Sequence, residues 1–246
     1  MIGTHAVFEE NVVFKNLGFA VIDEQHRFGV DQRAALRAKA SGKEIPDLLV
    51  MTATPIPRTA AMTVYGDLDV SILDEFPPGR TPISTKWVED DSEVWEKVRN
   101  QIQQGNQAYV VCPLIGDNET TQKASVEKTY ERLVETELRG LNVDLLHGRL
   151  TGPEKHEVMT GFREGNIDVL ISTTVIEVGV DVPNATVMVV LDAERFGIAH
   201  LHQLRGRVGR GDMDSWCFLV SLVITDVAVQ RMTALDSSTD GFELAE

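Results

Sequence analysis

Short apolar runs, rich in valine, isoleucine and leucine, recur along the chain and alternate with amphipathic stretches. Runs that are apolar throughout are typical of parallel strands buried on both faces and joined by helices. The pattern predicts strands near 17–22, 48–53, 83–88, 108–112, 143–147, 168–172, 186–191 and 216–220. It predicts helices over 31–40, 55–65, 92–104, 126–139 and 153–163, and a short one at 200–204. The predicted fold class is therefore α/β, built on parallel sheets.

The alternation breaks most clearly at DEFPPGRTP, residues 74–82. Two prolines and a glycine cannot continue a helix or a central strand, so this segment predicts a linker. We therefore expect two lobes, residues 1–78 and 79–246.

Composition narrows the class of protein. The chain has 246 residues and a net charge of −15, which argues against nucleic-acid binding through bulk charge but not through a local basic cluster. Its two cysteines lie far apart, as expected in a reducing compartment. We find neither an apolar run long enough to span a membrane nor an N-terminal signal peptide. A cytoplasmic protein without a membrane partner is predicted.

Two adjacent carboxylates, Asp23 and Glu24, follow the apolar run that ends at Ile22. Ligands of open α/β sheets bind beyond the carboxyl ends of strands, where such a pair could hold hydrated Mg²⁺ and position a water for a nucleoside triphosphatase. A solvated strand end explains the pair alone at least as well.

Two further segments change this balance. In TATPIPRT, Thr52 and Thr54 are by themselves best explained as capping hydroxyls before a proline-initiated helix. QLRGRVGRG, residues 203–211, concentrates three arginines and three glycines in an acidic chain. Guanidinium groups neutralise the charge of phosphoryl transfer well. Carboxylates on one α/β unit and arginines on another predict an ATP site shared between two lobes.

Together these segments resemble the motor of superfamily 2 helicases, most closely the RecG-type branch-migrating DNA helicases. The matching segments are VIDEQHRFGV (21–30, the DExH box), TATPIPRT (52–59, motif III), STTVIEVGVDVPNA (172–185, motif V) and QLRGRVGRG (motif VI). HGRL (147–150) and AERFGIAHLHQ (193–203) lie between them in the family's order. GTHAVF (3–8) resembles a DNA-contacting segment, and DGFELAE (240–246) resembles the start of the C-terminal translocation motif.

The resemblance implies two RecA-like lobes of the P-loop NTPase type, ATP and Mg²⁺ as cofactors, and a monomer that remodels forks and Holliday junctions in recombination and repair. It implies that Asp23 holds Mg²⁺, that Glu24 polarises the attacking water, and that His26 links the site to Thr52 and Thr54, which relay the nucleotide state. The other nucleotide-facing residues that it implies are Gly179 and Asp181, near the ribose and phosphates, Gln203, and the catalytic, phosphate-facing arginines Arg207 and Arg210. The DNA-facing residues that it implies are Gly3, Thr4, His5, His147, Gly148, Arg149, Thr173 and Thr174.

The chain departs from the family in one important respect, because it contains no phosphate-cradling GxxxxGK[ST] loop. Its one Gly-Lys step, at 42–43, has Arg37 in place of the first glycine and Glu44 in place of the hydroxyl residue. The family's N-terminal DNA-gripping wedge is missing as well. We therefore expect a motor fragment with an incomplete first lobe, a nearly whole second lobe and very weak nucleotide binding.

Three other interpretations stay open. Transcription-repair coupling translocases share TATPIPRT and QLRGRVGRG, although DEQH, EVGVD and VVCPLI favour the RecG type. A non-catalytic DNA-binding or interaction module would keep these motifs as relics. A metal at His200 and His202 has little support, since no cysteine or carboxylate cluster accompanies the pair.

Overall fold

The computed structural model describes residues 1–9, 11–23, 46–52, 69–71, 73, 81–113, 119–173, 181–221 and 225–238. The chain divides into two compact units, Met1–Pro55 and Ile56–Glu246. The lobe boundary predicted after residue 78 lies outside the described residues and stays a prediction, as do the predicted helices over 31–40 and 55–65.

The first unit contains a small parallel sheet. A 3-10 helix, His5–Phe8, precedes strands β1 (Phe19–Ile22) and β2 (Asp47–Val50), which pair in parallel from Phe19 with Asp47 to Ile22 with Val50. Alternate residues of a strand point to opposite faces, and here Ile22 is buried while its neighbour Val21 is exposed.

The second unit is built on a six-stranded parallel sheet with the order β3-β8-β7-β4-β6-β5. Its strands are β3 (Ile83–Val88), β4 (Gln107–Val111), β5 (Val143–Leu146), β6 (Val169–Ser172), β7 (Ala185–Val190) and β8 (Ser215–Val220). Its helices are α1 (Ser92–Gln103), α2 (Glu119–Glu135), α3 (Gly152–Arg163), α4 (Ile198–Arg205) and α5 (Asp226–Ser237), with a 3-10 helix at Ala193–Arg195.

The central strands of this sheet are buried because helices cover both faces of the sheet. Every residue of β4, β6 and β7 is buried, as their continuous apolar sequences predict. Alternate strand residues contribute to two separate hydrophobic cores, one on each face of the sheet. One core packs against α1 and α2 through Val98 and Leu133, and the other packs against α3, α4 and α5 through Phe162, Leu201 and Met232. Burial of each such side chain stabilises the fold by about 1.5–3 kcal/mol.

The predicted α/β class with parallel sheets is confirmed, and every predicted strand has a counterpart. Two predictions about helices were wrong. α2 begins at Glu119, before the predicted start at 126, and α5 was not predicted at all. Among the described residues, no helix is both long and apolar enough to cross a membrane.

Candidate active site

At two glycines, the arginine-rich loop between α4 and β8 lies close to β3 and to the loop that precedes β7. Gly209 has a left-handed backbone (φ +70°), and a Cβ atom there would lie 2.7 Å from Cγ1 of Ile83. A Cβ on Gly211 would lie 3.1 Å from the carbonyl oxygen of Pro183, in the loop that precedes β7. The glycines therefore let this loop approach the amino ends of β3 and β7 at short range.

Arg210 is held in this loop by two acceptors. Its Nη1 donates to Oδ1 of Asp181 at 3.1 Å, and its Nε donates to the carbonyl oxygen of Gly206 at 3.3 Å. The structure thus brings together two predicted nucleotide-facing residues that lie 29 positions apart. Their side chains are 30% and 61% exposed, so the ion pair stabilises the fold by no more than about 0.2–1 kcal/mol.

Arg207 belongs to the same charged cluster. Burial raises the pKa of Tyr109 in β4 to about 12, the positive charges of Arg210 and Arg207 oppose this shift, and the negative charge of Asp181 adds to it. All three charged groups therefore lie within electrostatic reach of one buried phenol. Gln203, the remaining predicted member, is half-buried in α4.

This charged cluster lies at the amino edge of the sheet, since Asp181 shortly precedes β7 and Arg210 shortly precedes β8. The predicted DNA-facing residues of this unit that the structure describes lie at the opposite edge. His147 follows the carboxyl end of β5, and Thr173 follows that of β6.

Hydrogen bonds close the turn after β5. The backbone N–H of Arg149 donates to Nδ1 of His147 at 3.2 Å, so the neutral imidazole carries its proton on Nε2. The Nζ of Lys155 donates to the carbonyl oxygen of Gly148 at 2.8 Å. The three predicted residues, His147, Gly148 and Arg149, therefore form one turn with a lysine beside it.

A reciprocal capping box secures the helix that follows this turn. The N–H of Thr151 donates to Oε2 of Glu154 at 2.6 Å, and the N–H of Glu154 donates to Oγ1 of Thr151 at 3.4 Å. The first of these bonds is the main reason that the pKa of Glu154 is lowered. The start of α3 is thereby fixed next to the turn.

Thr173 lies beside this turn but points inward. Its N–H donates to the carbonyl oxygen of Leu146 at 3.2 Å, and the residue is only 2% exposed. Within the described part of the chain, its buried hydroxyl oxygen has no hydrogen-bond partner. A contact between this hydroxyl and DNA stays a prediction.

In the first unit, Asp23 and Thr52 lie at one edge of the small sheet. Each is exposed and follows the carboxyl end of its strand, and the N–H of Met51 donates to the carbonyl oxygen of Ile22 at 2.8 Å. Gly3 and Thr4 are exposed at the start of the 3-10 helix that contains His5. Five predicted site residues lie outside the described residues: Glu24, His26, Thr54, Thr174 and Gly179.

Arg205 is the residue of the arginine-rich segment whose role the sequence did not reveal. It is 3% exposed, and its Nη1 donates to the carbonyl oxygens of Leu235 at 3.0 Å and Ser238 at 2.8 Å. It therefore caps the carboxyl end of α5, the helix that the sequence pattern missed. No local signal distinguishes Arg205 from its neighbours, because its acceptors come from a distant element.

The two histidines of the HxH pair each contact a side chain close to them in sequence. The ring of His200 packs edge-on against Phe196 with centroids 5.2 Å apart, and Nδ1 of His202 lies 2.9 Å from Nη2 of Arg205. In the described ranges, no group of three or more histidine, cysteine, aspartate or glutamate residues is placed to hold a metal.

A cleft of about 180 Å³ opens at the carboxyl ends of β4, β7 and β8. Asp192 lines it with a left-handed backbone (φ 47°), which is uncommon for a residue other than glycine. Burial raises the pKa of Asp192, Glu194 raises it further, and Arg195 opposes the shift. The thiol of Cys112, also in the lining, has a pKa raised to about 12 mainly by burial.

Comparison with known proteins shows a similarity to helicases over the whole chain. Residues 93–212 match the helicase conserved C-terminal domain. Proteins named ATP-dependent DNA helicase RecG from Mycobacterium tuberculosis and Thermotoga maritima are 52% and 51% identical over 260 and 248 residues, covering 100% of this chain. The matches cover 35% and 31% of those proteins, so the chain spans about a third of the length of its curated relatives.

Solved structures agree with this result. A RecG bound to a three-way DNA junction matches 99% of this chain and 31% of its own, with a TM-score of 0.78 and 49% identity. Dbp5 of S. cerevisiae, bound to RNA and ADP BeF3, matches 98% of this chain and 61% of its own. Its TM-score is 0.62 at 18% identity, so the two proteins share the fold. Over its whole length, the chain is therefore similar to helicases of the RecG type, at 49–52% identity to the three RecG proteins.

Proposed function

We propose that this chain is part of the motor of an ATP-dependent DNA helicase that remodels branched DNA, such as forks and Holliday junctions, during recombination and repair. The observation that carries the proposal is the Asp181–Arg210 contact on a glycine-bounded arginine loop, in a chain about half identical to RecG proteins throughout. The relative bound to a three-way junction supports branched DNA as the substrate. We further propose that the motor works as a cytoplasmic monomer.

ATP would bind between the two lobes. Arg207 and Arg210 would face its phosphoryl groups from the second lobe, with Gln203, Gly179 and Asp181 beside them. Planar guanidinium groups suit this task because they match phosphate oxygens and remain charged at any physiological pH.

The first lobe would supply the carboxylate side of the site. Asp23 is exposed at a strand end, as a ligand of a hydrated ion has to be, and it would hold Mg²⁺, which neutralises phosphate charge when bound. Glu24 would polarise the attacking water. His26, Thr52 and Thr54 would relay the state of the nucleotide towards the DNA.

DNA would bind at the other edge of the second lobe. The turn formed by His147, Gly148 and Arg149 carries an imidazole and a guanidinium, both suitable donors to phosphate oxygens. Thr173 and Thr174 would contact the backbone nearby, and Gly3, Thr4 and His5 would contact it from the first lobe. A net charge of −15 restricts phosphate contacts to such local groups.

ATP and DNA would thus act on opposite edges of the same sheet. Closure of the lobes on ATP would bring the arginines to the carboxylates and would shift the DNA-facing turn. Hydrolysis would also require a phosphate-cradling loop, which these 246 residues lack.

The test joins the full chain to the upstream part of the Mycobacterium tuberculosis relative and measures ATP hydrolysis with and without three-way junction DNA. We expect junction-stimulated hydrolysis that Arg210→Ala lowers by about 10³-fold or more. Arg163→Ala, at an exposed position at the end of α3, is the matched control and should change the rate less than about threefold. DNA binding without any stimulated hydrolysis would favour the non-catalytic module instead.

A further inference from the structure

The guanidinium of Arg210 is tied to the protein through two of its three nitrogens. Nη1 donates to Asp181 and Nε donates to the carbonyl oxygen of Gly206. Among the described residues, Nη2 has no protein partner, and the side chain is 30% exposed. Two anchors on one rigid plane fix its orientation and leave one nitrogen for a ligand.

The backbones behind both side chains are also fixed. Val182, next to Asp181, is 2% exposed, and Val208, two residues before Arg210, is fully buried in the same core. The two loops touch where Gly211 meets the carbonyl of Pro183. The Asp181–Arg210 contact therefore joins two anchored loops, although both side chains remain accessible.

From this geometry we infer that Asp181 is a positioning residue, which orients Arg210 so that Nη2 faces the transferring phosphoryl group. The inference rests on the proposed function, because it takes Arg210 as the phosphate-facing arginine. A free arginine side chain samples many rotamers. Orienting it before ATP arrives removes that ordering from the catalytic step.

This role differs from the one that the family resemblance implies for Asp181, which is a contact with the nucleotide ribose or phosphates. If Asp181 contacted the ribose, its substitution would raise KM, and this effect would depend on the ribose hydroxyls and would be the same with or without Arg210. If Asp181 positions Arg210, its substitution would lower kcat, and this effect would require Arg210 and would be the same with or without the ribose hydroxyls.

The experiment is a double-mutant cycle in the full chain joined to the upstream part of the Mycobacterium tuberculosis relative. Steady-state hydrolysis of ATP and of 2′,3′-dideoxy-ATP is measured with junction DNA for Asp181→Asn, Arg210→Lys and the double variant. Asp181→Glu keeps the carboxylate. Asp212→Asn removes an exposed carboxylate of the same loop and is the matched control.

We expect Asp181→Asn to lower kcat between about tenfold and 100-fold for both nucleotides, with KM changed less than about twofold. In the Arg210→Lys background, the same substitution should change kcat less than about twofold, because the guanidinium that Asp181 orients is already absent. Asp181→Glu should recover most of the rate, and Asp212→Asn should match the unsubstituted protein. Thermal unfolding should be alike for all variants, since the pair is exposed.

Three results would overturn the inference while leaving the proposed function intact. These are full activity of Asp181→Asn, a purely additive loss with Arg210→Lys, and a KM increase confined to ATP. If the unsubstituted fusion protein itself hydrolyses no ATP, the proposed function fails and the inference fails with it.

Discussion

The two edges of the six-stranded sheet hold polar groups in different ways. At the amino edge, the key contact is an exposed ion pair between the side chains of Asp181 and Arg210. At the carboxyl edge, backbone groups close the turn after β5, and a capping box secures the helix beyond it. A side-chain contact can be exchanged for a ligand, whereas a closed turn presents the same donors continuously. We therefore expect substitutions at the amino edge to change rates and substitutions at the carboxyl edge to change affinity.

The largest expected effect concerns the chain by itself. The phosphate-facing groups proposed at the amino edge are arginines, and the sequence contains no phosphate-cradling loop. The 246-residue chain should therefore hydrolyse ATP at the background rate with or without junction DNA, as measured by phosphate release. Robust turnover that disappears in Glu24→Gln would show that another group cradles the phosphates.

A second prediction separates two arginines of the same segment. Arg205→Ala leaves the carbonyls of Leu235 and Ser238 without their charged donor, and it should lower the free energy of unfolding by about 2–4 kcal/mol. Arg210→Ala should change it by less than about 1 kcal/mol, because its ion pair is exposed. Urea unfolding of the two variants measures both values, and equal losses would contradict the assignment of Arg205 to the fold.

The third prediction concerns the carboxyl edge. In the full chain joined to the upstream part of the Mycobacterium tuberculosis relative, Arg149→Ala should weaken junction binding about five- to tenfold. The slope of log affinity against log salt should fall by about 1, as expected for one lost phosphate contact. Fluorescence anisotropy across a salt series measures both quantities. An unchanged slope would remove Arg149 from the DNA contacts.

The smallest effect is expected at Asp192. Its raised pKa means that the folded state binds this proton more tightly than the unfolded chain, so folding stability falls as the pH rises above the ordinary value of 3.8. Asp192→Asn removes this penalty and suits the left-handed backbone. It should raise the free energy of unfolding slightly at pH 7 and by less below pH 4, since the group is partly exposed and its charge is screened. Urea titrations at both pH values check this, with Asp212→Asn as the control.

Much of the fold could be predicted because its central strands are apolar on both faces. β4, β6 and β7 lie within two residues of their predicted bounds. The sequence pattern missed α5 because the exposed Val227 adds an apolar residue beside the buried positions Ala228, Met232 and Leu235, which blurs the helical stripe. Its carboxyl end is also secured by Arg205, a tertiary contact that no local pattern contains.

The candidate site could be predicted only in part. The resemblance placed Asp181 and Arg210 near the same nucleotide, but periodicity says nothing about a contact across 29 residues. Thr173 could be named as a site residue, whereas its burial follows from its position beside Leu146 and is visible only in three dimensions.

The assignment of ATP hydrolysis to the amino edge and of DNA affinity to the carboxyl edge is tested most directly by Arg210→Ala in the same fusion protein. Junction-stimulated ATP hydrolysis and junction affinity are measured on the same preparation. We predict that hydrolysis falls by about 10³-fold or more, or at least about 4 kcal/mol of transition-state stabilisation, while junction affinity changes less than about threefold. Hydrolysis close to that of the unsubstituted protein, or a loss of junction affinity as large as the loss of rate, would contradict the account.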